Sequence, residues 1–152
     1  MTTSSATVRP NREPGEVVTG RGRTRARVLA VAGGALAATV VHLLAGALGA
    51  DMAVPAFDGQ GTEQIAAVGV ALSALAGALV GWGLALAAGR WAARPRVTWL
   101  VVAGVGLVFS FVPVIAIDAT AATRAVLALE HLAVAAVMIP VLARTLPVRR
   151  VR

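Results

Sequence analysis

Three ionisable side chains lie inside long apolar runs of this sequence: His42, Glu130 and His131. An ionisable group within a bilayer is expensive to keep, so each is a candidate functional residue. A carboxylate beside imidazoles can relay protons or couple an ion. His42 and His131, one on each of two helices, are the minimum set for ligating a haem between facing side chains of a bundle. The two histidines with Glu130 offer a ligand set for a divalent metal. The plainer alternative is a clamp, in which one of these groups hydrogen-bonds across helices and fixes their register at ~0.6 kcal/mol on average. Ser73 and Ser110 lie at comparable positions in two further apolar runs. Hydrolytic chemistry would need one of them close to a histidine, whereas a membrane serine commonly bonds its own helix backbone. No cofactor is predicted, and haem or a divalent metal stand as alternatives.

The elements that must position these residues are four apolar runs, at about 28–50, 64–88, 98–117 and 125–143. Each has roughly the 20 residues that a helix needs to cross a ~30 Å hydrocarbon core. Backbone polar groups in lipid must be satisfied within the segment, which makes each run a helix. A membrane barrel would show short alternating segments instead. Composition agrees: 58% of the 152 residues are hydrophobic and 14% charged, against about 25% charged in a soluble domain. The expected fold is all-α, a four-helix transmembrane bundle over 25–145. A disordered leader at 1–24, rich in Ser, Thr, Arg, Pro and Gly, precedes it, and a basic tail at 146–152 follows. The first run is too long for the ~7–15-residue apolar region of a cleaved signal peptide.

Charge supplies an orientation. All 14 basic residues are Arg and the net charge is +7. Six arginines precede the first run. Arg90, Arg94 and Arg96 lie between the second and third, and Arg144, Arg149, Arg150 and Arg152 follow the fourth. The other two gaps hold Arg124 with Asp51, Asp58, Glu63 and Asp118. The positive-inside rule then places both termini and the middle loop in the cytoplasm of a bacterial plasma membrane, with Trp82, Trp91 and Trp99 towards the cytoplasmic interface. At ~1.5 Å per residue, His42 lies roughly 12 Å, Glu130 and His131 roughly 8–9 Å, and Ser73 and Ser110 roughly 10–14 Å below the outer helix ends. Every helix thus places a polar group in one layer of the outer half. Glu130 and His131 are consecutive and point about 100° apart, so one can meet His42 while the other meets the third helix or Arg124.

Packing should run along small residues, which let backbones approach where no hydrophobic effect drives helices together. The second helix carries Gly69, Ser73, Gly77, Gly81, Ala85 and Gly89 at steps of four, and the first carries Gly34, Ala38, His42, Gly46 and Ala50. Such a stripe serves packing within the chain or a dimer face. Pro113 should kink the third helix, and Pro140 sits near the end of the fourth; both suit transmembrane helices.

Much is excluded. The chain has no cysteine, hence no disulfide, thiolate metal site or cysteine nucleophile. Phosphate-loop, zinc-protease and nucleophile-elbow motifs are lacking, and no internal repeat suggests an inverted-repeat transporter. The arginines flank apolar segments and aromatics are few, so nucleic acid is not an expected partner. Expected partners are the lipid bilayer and another membrane protein or a second copy.

The stretch ATRAVLALEHLAVAAVMIPVLARTL, with His131-Leu132 and later Ile139-Pro140, resembles the last helix of a family of small uncharacterised membrane proteins from high-GC Gram-positive bacteria. The arginine-ended leader, the Ala/Leu-rich first helix and the short basic middle loop are similar too, over about residues 25–145. The resemblance implies a four-helix plasma-membrane protein with no known activity. It also implies an apolar residue ahead of the histidine, from which Glu130 departs. The functional expectation is a non-enzymatic structural or accessory subunit, with a proton-coupled or metal/haem-binding bundle as the alternative.

Overall fold

Four helices form because the apolar runs must satisfy their own backbones. In a computed structural model, residues 20–56 and 58–148 are described. The helices are α1 (Gly20–Ala47), α2 (Ala67–Trp91), α3 (Pro95–Ala116) and α4 (Ala121–Thr145), each long and apolar enough to span a membrane. Even α3, with 22 residues, reaches about 33 Å at ~1.5 Å per residue.

The boundaries depart from expectation for local reasons. α1 starts at Gly20 rather than near position 28, so residues 20–24 of the expected leader are helical; residues 1–19 lie outside the described residues. Arginine is a good helix former, and Arg27 anchors this stretch through Nε to Thr145 Oγ1 (2.9 Å) and Nη2 to the Thr145 carbonyl (3.2 Å). α1 stops at Ala47, and Gly49 follows in the left-handed region at φ 83°, as helix C-termini favour. Pro95 opens α3, where its missing N–H costs nothing. Thr120 caps α4 by accepting from the Thr123 backbone N–H at 3.1 Å. Both α3 and α4 continue past their prolines, Pro113 and Pro140. Of the expected tail, 149–152 fall outside the described residues.

One element was not expected. Between α1 and α2 lies a hairpin of β1 (Ala53–Pro55) and β2 (Thr62–Gln64), paired Ala53↔Gln64, Val54↔Glu63 and Pro55↔Thr62. Gly59 and Gly61, at φ 74° and 78°, allow the turn. Asp51 Oδ1 accepts from the Ala53 N–H (3.2 Å) and Gln64 Nε2 (2.9 Å), and Thr123 Oγ1 donates to the Asp51 carbonyl at 2.6 Å. The hairpin is thereby tied to the start of α4, and Ile65 is fixed at the head of α2.

α1 packs on α4 and α2, α3 packs on α4 and α2, and α2 touches α4 across the middle. The α1–α4 interface is the most extensive. At the termini end, Ala85, Ala88, Trp99, Met138, Leu142 and Leu146 form a close-packed cluster. Trp99 is 3% exposed and donates from Nε1 to the Ile139 carbonyl at 3.1 Å, so its side chain packs into the core. Arg96 Nε donates to the Ala143 carbonyl at 3.0 Å, satisfying one acceptor that the end of α4 leaves free.

The small-residue stripes divide. On α1, a β-carbon at Gly34 would stand 3.3 Å from Met138 Cγ, and Ala38 and His42 are buried in the same interface, while Gly46 has nothing near it. On α2, Gly81 meets Met138 and Trp99, Ala85 is buried, and a β-carbon at Gly89 would stand 3.1 Å from Leu146. Gly69 and Gly77 face open space, and Ser73 is exposed. Gly69, Ser73, Gly77 and Gly46 thus make no close helix contact within the single chain. The side-chain ties of α3 to α4 described above gather at the termini end. Towards the hairpin end, a cleft opens among α2, α3 and α4.

Candidate functional site

The polar layer resolves into one tight pair and several groups bonded to their own helices. His42, on the packing face of α1, places Nδ1 3.0 Å from Glu130 Oε1 on α4. Its other nitrogen, Nε2, lies 3.0 Å from the Ile65 carbonyl oxygen at the head of α2. Both side chains are buried, at 8% and 7% exposure. A carbonyl has no hydrogen to give, so Nε2 carries the N–H. The Nδ1–Oε1 bond then requires one proton, held by the imidazole or by the carboxyl. Either arrangement is net neutral, which suits a bilayer interior better than a lone charge. One histidine thus links the hairpin ends of α1, α2 and α4.

His131 takes another direction. Its Nδ1 donates to the Leu127 carbonyl of its own helix at 2.7 Å, and its ring lies 6.2 Å, centroid to centroid, from Phe111 of α3. His42 and His131 are not brought together, although haem ligation across the bundle would require it. A metal ion would have to displace one of the two bonds that His42 already makes. Among the described residues, no three His, Cys, Asp or Glu side chains gather as a metal-binding group. Ser73 donates to the Gly69 carbonyl and Ser110 to the Leu107 carbonyl at 2.7 Å. Neither hydroxyl hydrogen-bonds a histidine. Arg124 meets neither Glu130 nor His131; it caps α3, with Nε and Nη2 on the Ile117 carbonyl at 3.1 and 2.8 Å.

The cleft has a volume of about 520 Å³ and is lined mainly by residues of α2, α3 and α4, with Ala38 of α1, among them Gly69, Ser73, Gly77, Gly106, Ser110, Glu130, His131 and, towards the termini end, Trp99. Glu130 therefore stands between two environments: its Oε1 is on buried His42, and the residue also lines the cleft. Of the polar groups expected at a shared depth, His42 and Glu130 meet. The Ile65 carbonyl and the tie from Thr123, which is fully buried, had no apolar-run signal.

Four apolar helices enclosing a carboxylate–imidazole pair define a small four-helix membrane protein. The chain belongs to a family of unknown function, DUF6069, whose model matches residues 18–148. No curated protein and no solved structure matches it.

Proposed function

We propose that the chain is a non-enzymatic, multi-pass plasma-membrane protein with both termini in the cytoplasm, acting as an accessory subunit of a larger membrane assembly. One observation carries the non-enzymatic reading: the intramembrane serines donate to their own backbones and His42 bonds between helices, so among the described residues neither serine is paired with a histidine base, as covalent catalysis needs. The arginine distribution supports the orientation. The Arg-only, Ala- and Val-rich composition supports a GC-rich source genome, and the resemblance of the last helix implies a high-GC Gram-positive one.

Two measurements check this reading. Solubilised from its own membranes in mild detergent, the 15.3 kDa chain should migrate in a larger complex with a different polypeptide. Migration alone, as monomer or homo-oligomer, would remove the accessory role. The chain lacks cysteine, so single cysteines report topology directly. In intact cells, an impermeant maleimide should label Gln60→Cys and spare Ala93→Cys. The reverse pattern would overturn the orientation.

A second reading, a proton-coupled role, is favoured by the position of Glu130 between His42 and the cleft. An intramembrane carboxylate in contact with a histidine is equipped to pass a proton.

A further inference from the structure

The cleft among α2, α3 and α4 has a consistent hydrogen-bond character. Ser73 gives its hydroxyl hydrogen to the Gly69 carbonyl, and Ser110 gives its own to Leu107. Trp99 Nε1 donates to Ile139, and His131 Nδ1 donates to Leu127. With its Nδ1 donating to backbone, the remaining ring nitrogen of His131, Nε2, has no hydrogen-bond partner among the described residues, and as an imidazole it offers a lone pair. Glu130 places Oε1 on His42, and Oε2 has no hydrogen-bond partner among the described residues. The single proton of the His42–Glu130 pair lies between Nδ1 and Oε1, so Oε2 is an acceptor in either arrangement. Each of these side-chain donors is already engaged with backbone, and what remains are the lone pairs of Ser73, Ser110, Glu130 and His131.

Shape adds a second constraint. The lining runs from Gly69 to Leu84 along α2, about 22 Å at ~1.5 Å per residue. The volume of about 520 Å³ falls in the ~300–1,000 Å³ range of small-molecule pockets. The polar lone pairs lie in the part towards the hairpin end, whereas Val80, Leu84, Trp99, Val102 and Met138 line the other. Beta-carbons at Gly77 or Gly106 would meet nothing within 4 Å.

We propose that this cleft binds a hydroxyl-headed, single-chain lipid from the surrounding bilayer, its hydroxyl donating to Glu130 at the hairpin end and its chain lying along the glycine wall of α2 towards Trp99. A head group that only accepts, such as an ester, ether or ketone, finds no donor among these side chains. An ammonium finds no net charge to balance it, because the His42–Glu130 pair is neutral overall, and an uncompensated charge at this depth is costly. The proposal does not depend on the accessory role.

Trp99 supplies the readout. In full-length protein carrying Trp82→Phe and Trp91→Phe, Trp99 is the sole tryptophan. In lipid nanodiscs, 16-bromohexadecan-1-ol should quench its fluorescence saturably. Unlabelled hexadecan-1-ol should compete, and hexadecyl methyl ether should compete about tenfold less well, the loss expected for one strong hydrogen bond. Gly77→Leu and, independently, Gly106→Leu should abolish the saturable component by filling the cleft from opposite walls. Equal competition by alcohol and ether would overturn the head-group assignment. Quenching that never saturates, or that survives both leucine variants, would show bulk lipid contact only and overturn the site. If Gly77→Leu instead breaks a dimer and the alcohol has no effect, a second copy of the chain fills the cleft and the proposal is wrong.

Discussion

Glu130→Leu should destabilise the bundle by about 1.5 kcal/mol, while Glu130→Gln should cost less than about 1 kcal/mol, as hydrogen-bond bookkeeping for a buried partner suggests. In water-soluble proteins, removing one member of a buried ion pair costs ~3–5 kcal/mol. Hydrogen bonds between membrane helices average ~0.6 and reach ~1.7 kcal/mol, because side chains in the unfolded-in-membrane state find other partners. His42 sits at the high end of that membrane range for a structural reason. Its Nε2 is held by the Ile65 carbonyl, so the ring cannot turn away to satisfy a bare Nδ1. Glutamine can donate its amide N–H to Nδ1 of a neutral imidazole and preserve the link. Equilibrium unfolding in mixed micelles gives the values, and a double-mutant cycle with His42→Leu should show a coupling of about 1–1.5 kcal/mol. Additive single effects, or a glutamine variant as weak as the leucine variant, would remove the pair from its structural role. The same variants separate the two functional readings. Glu130→Gln keeps the fold but cannot carry the carboxyl proton, so a proton-coupled protein would lose flux in liposomes. Equal flux in wild type and variant, or none in either, would eliminate that reading.

Trp99→Ala is the second large effect, about 2–3 kcal/mol, with Trp99→Phe near ~1 kcal/mol. Truncating a buried aromatic in a soluble core costs ~3–5 kcal/mol, part of which is transfer from water. Lipid is as apolar as the core, so that part vanishes and the losses are dispersion contacts and a cavity. Trp99 fills the space beside Gly81, whose β-carbon position lies 3.7 Å from its ring, and it also bonds the Ile139 carbonyl. Phenylalanine keeps most of the ring contacts and loses the hydrogen bond. The loss should appear as a lower unfolding midpoint for Trp99→Ala than for Trp99→Phe. Near-wild-type stability in Trp99→Ala would mean that the indole lies at the lipid surface and not in the core.

The four spans were readable because apolar length is a strong signal, and the interior level of His42 and Glu130 was readable because depth follows from rise per residue. Which of Glu130 and His131 meets His42 was not, since neighbouring residues differ by about 100° and only the rotation of α4 decides. The partner at Ile65 is a backbone carbonyl and carries no residue-type signature. The glycine stripe on α2 marks a face without saying what covers it: Gly81 and Gly89 meet neighbours within the chain, whereas Gly69 and Gly77 do not. The hairpin was hidden because its strands are three residues long, too short for an alternation to register.

The broad contact between α1 and α4 has a consequence for biogenesis. His42 and Glu130 are 88 positions apart, so at ~5–20 residues per second α1 waits roughly 4–18 s for its counterpart to be synthesised. Throughout that interval the first helix sits in lipid with an imidazole and a ridge of small residues unmatched. α2 can shelter it only in part, and the last helix is the closing member of the assembly. A nascent chain stopped before α4 would present the bilayer with an unsatisfied polar side chain, a mark by which membrane quality control can tell an unfinished copy from a finished one.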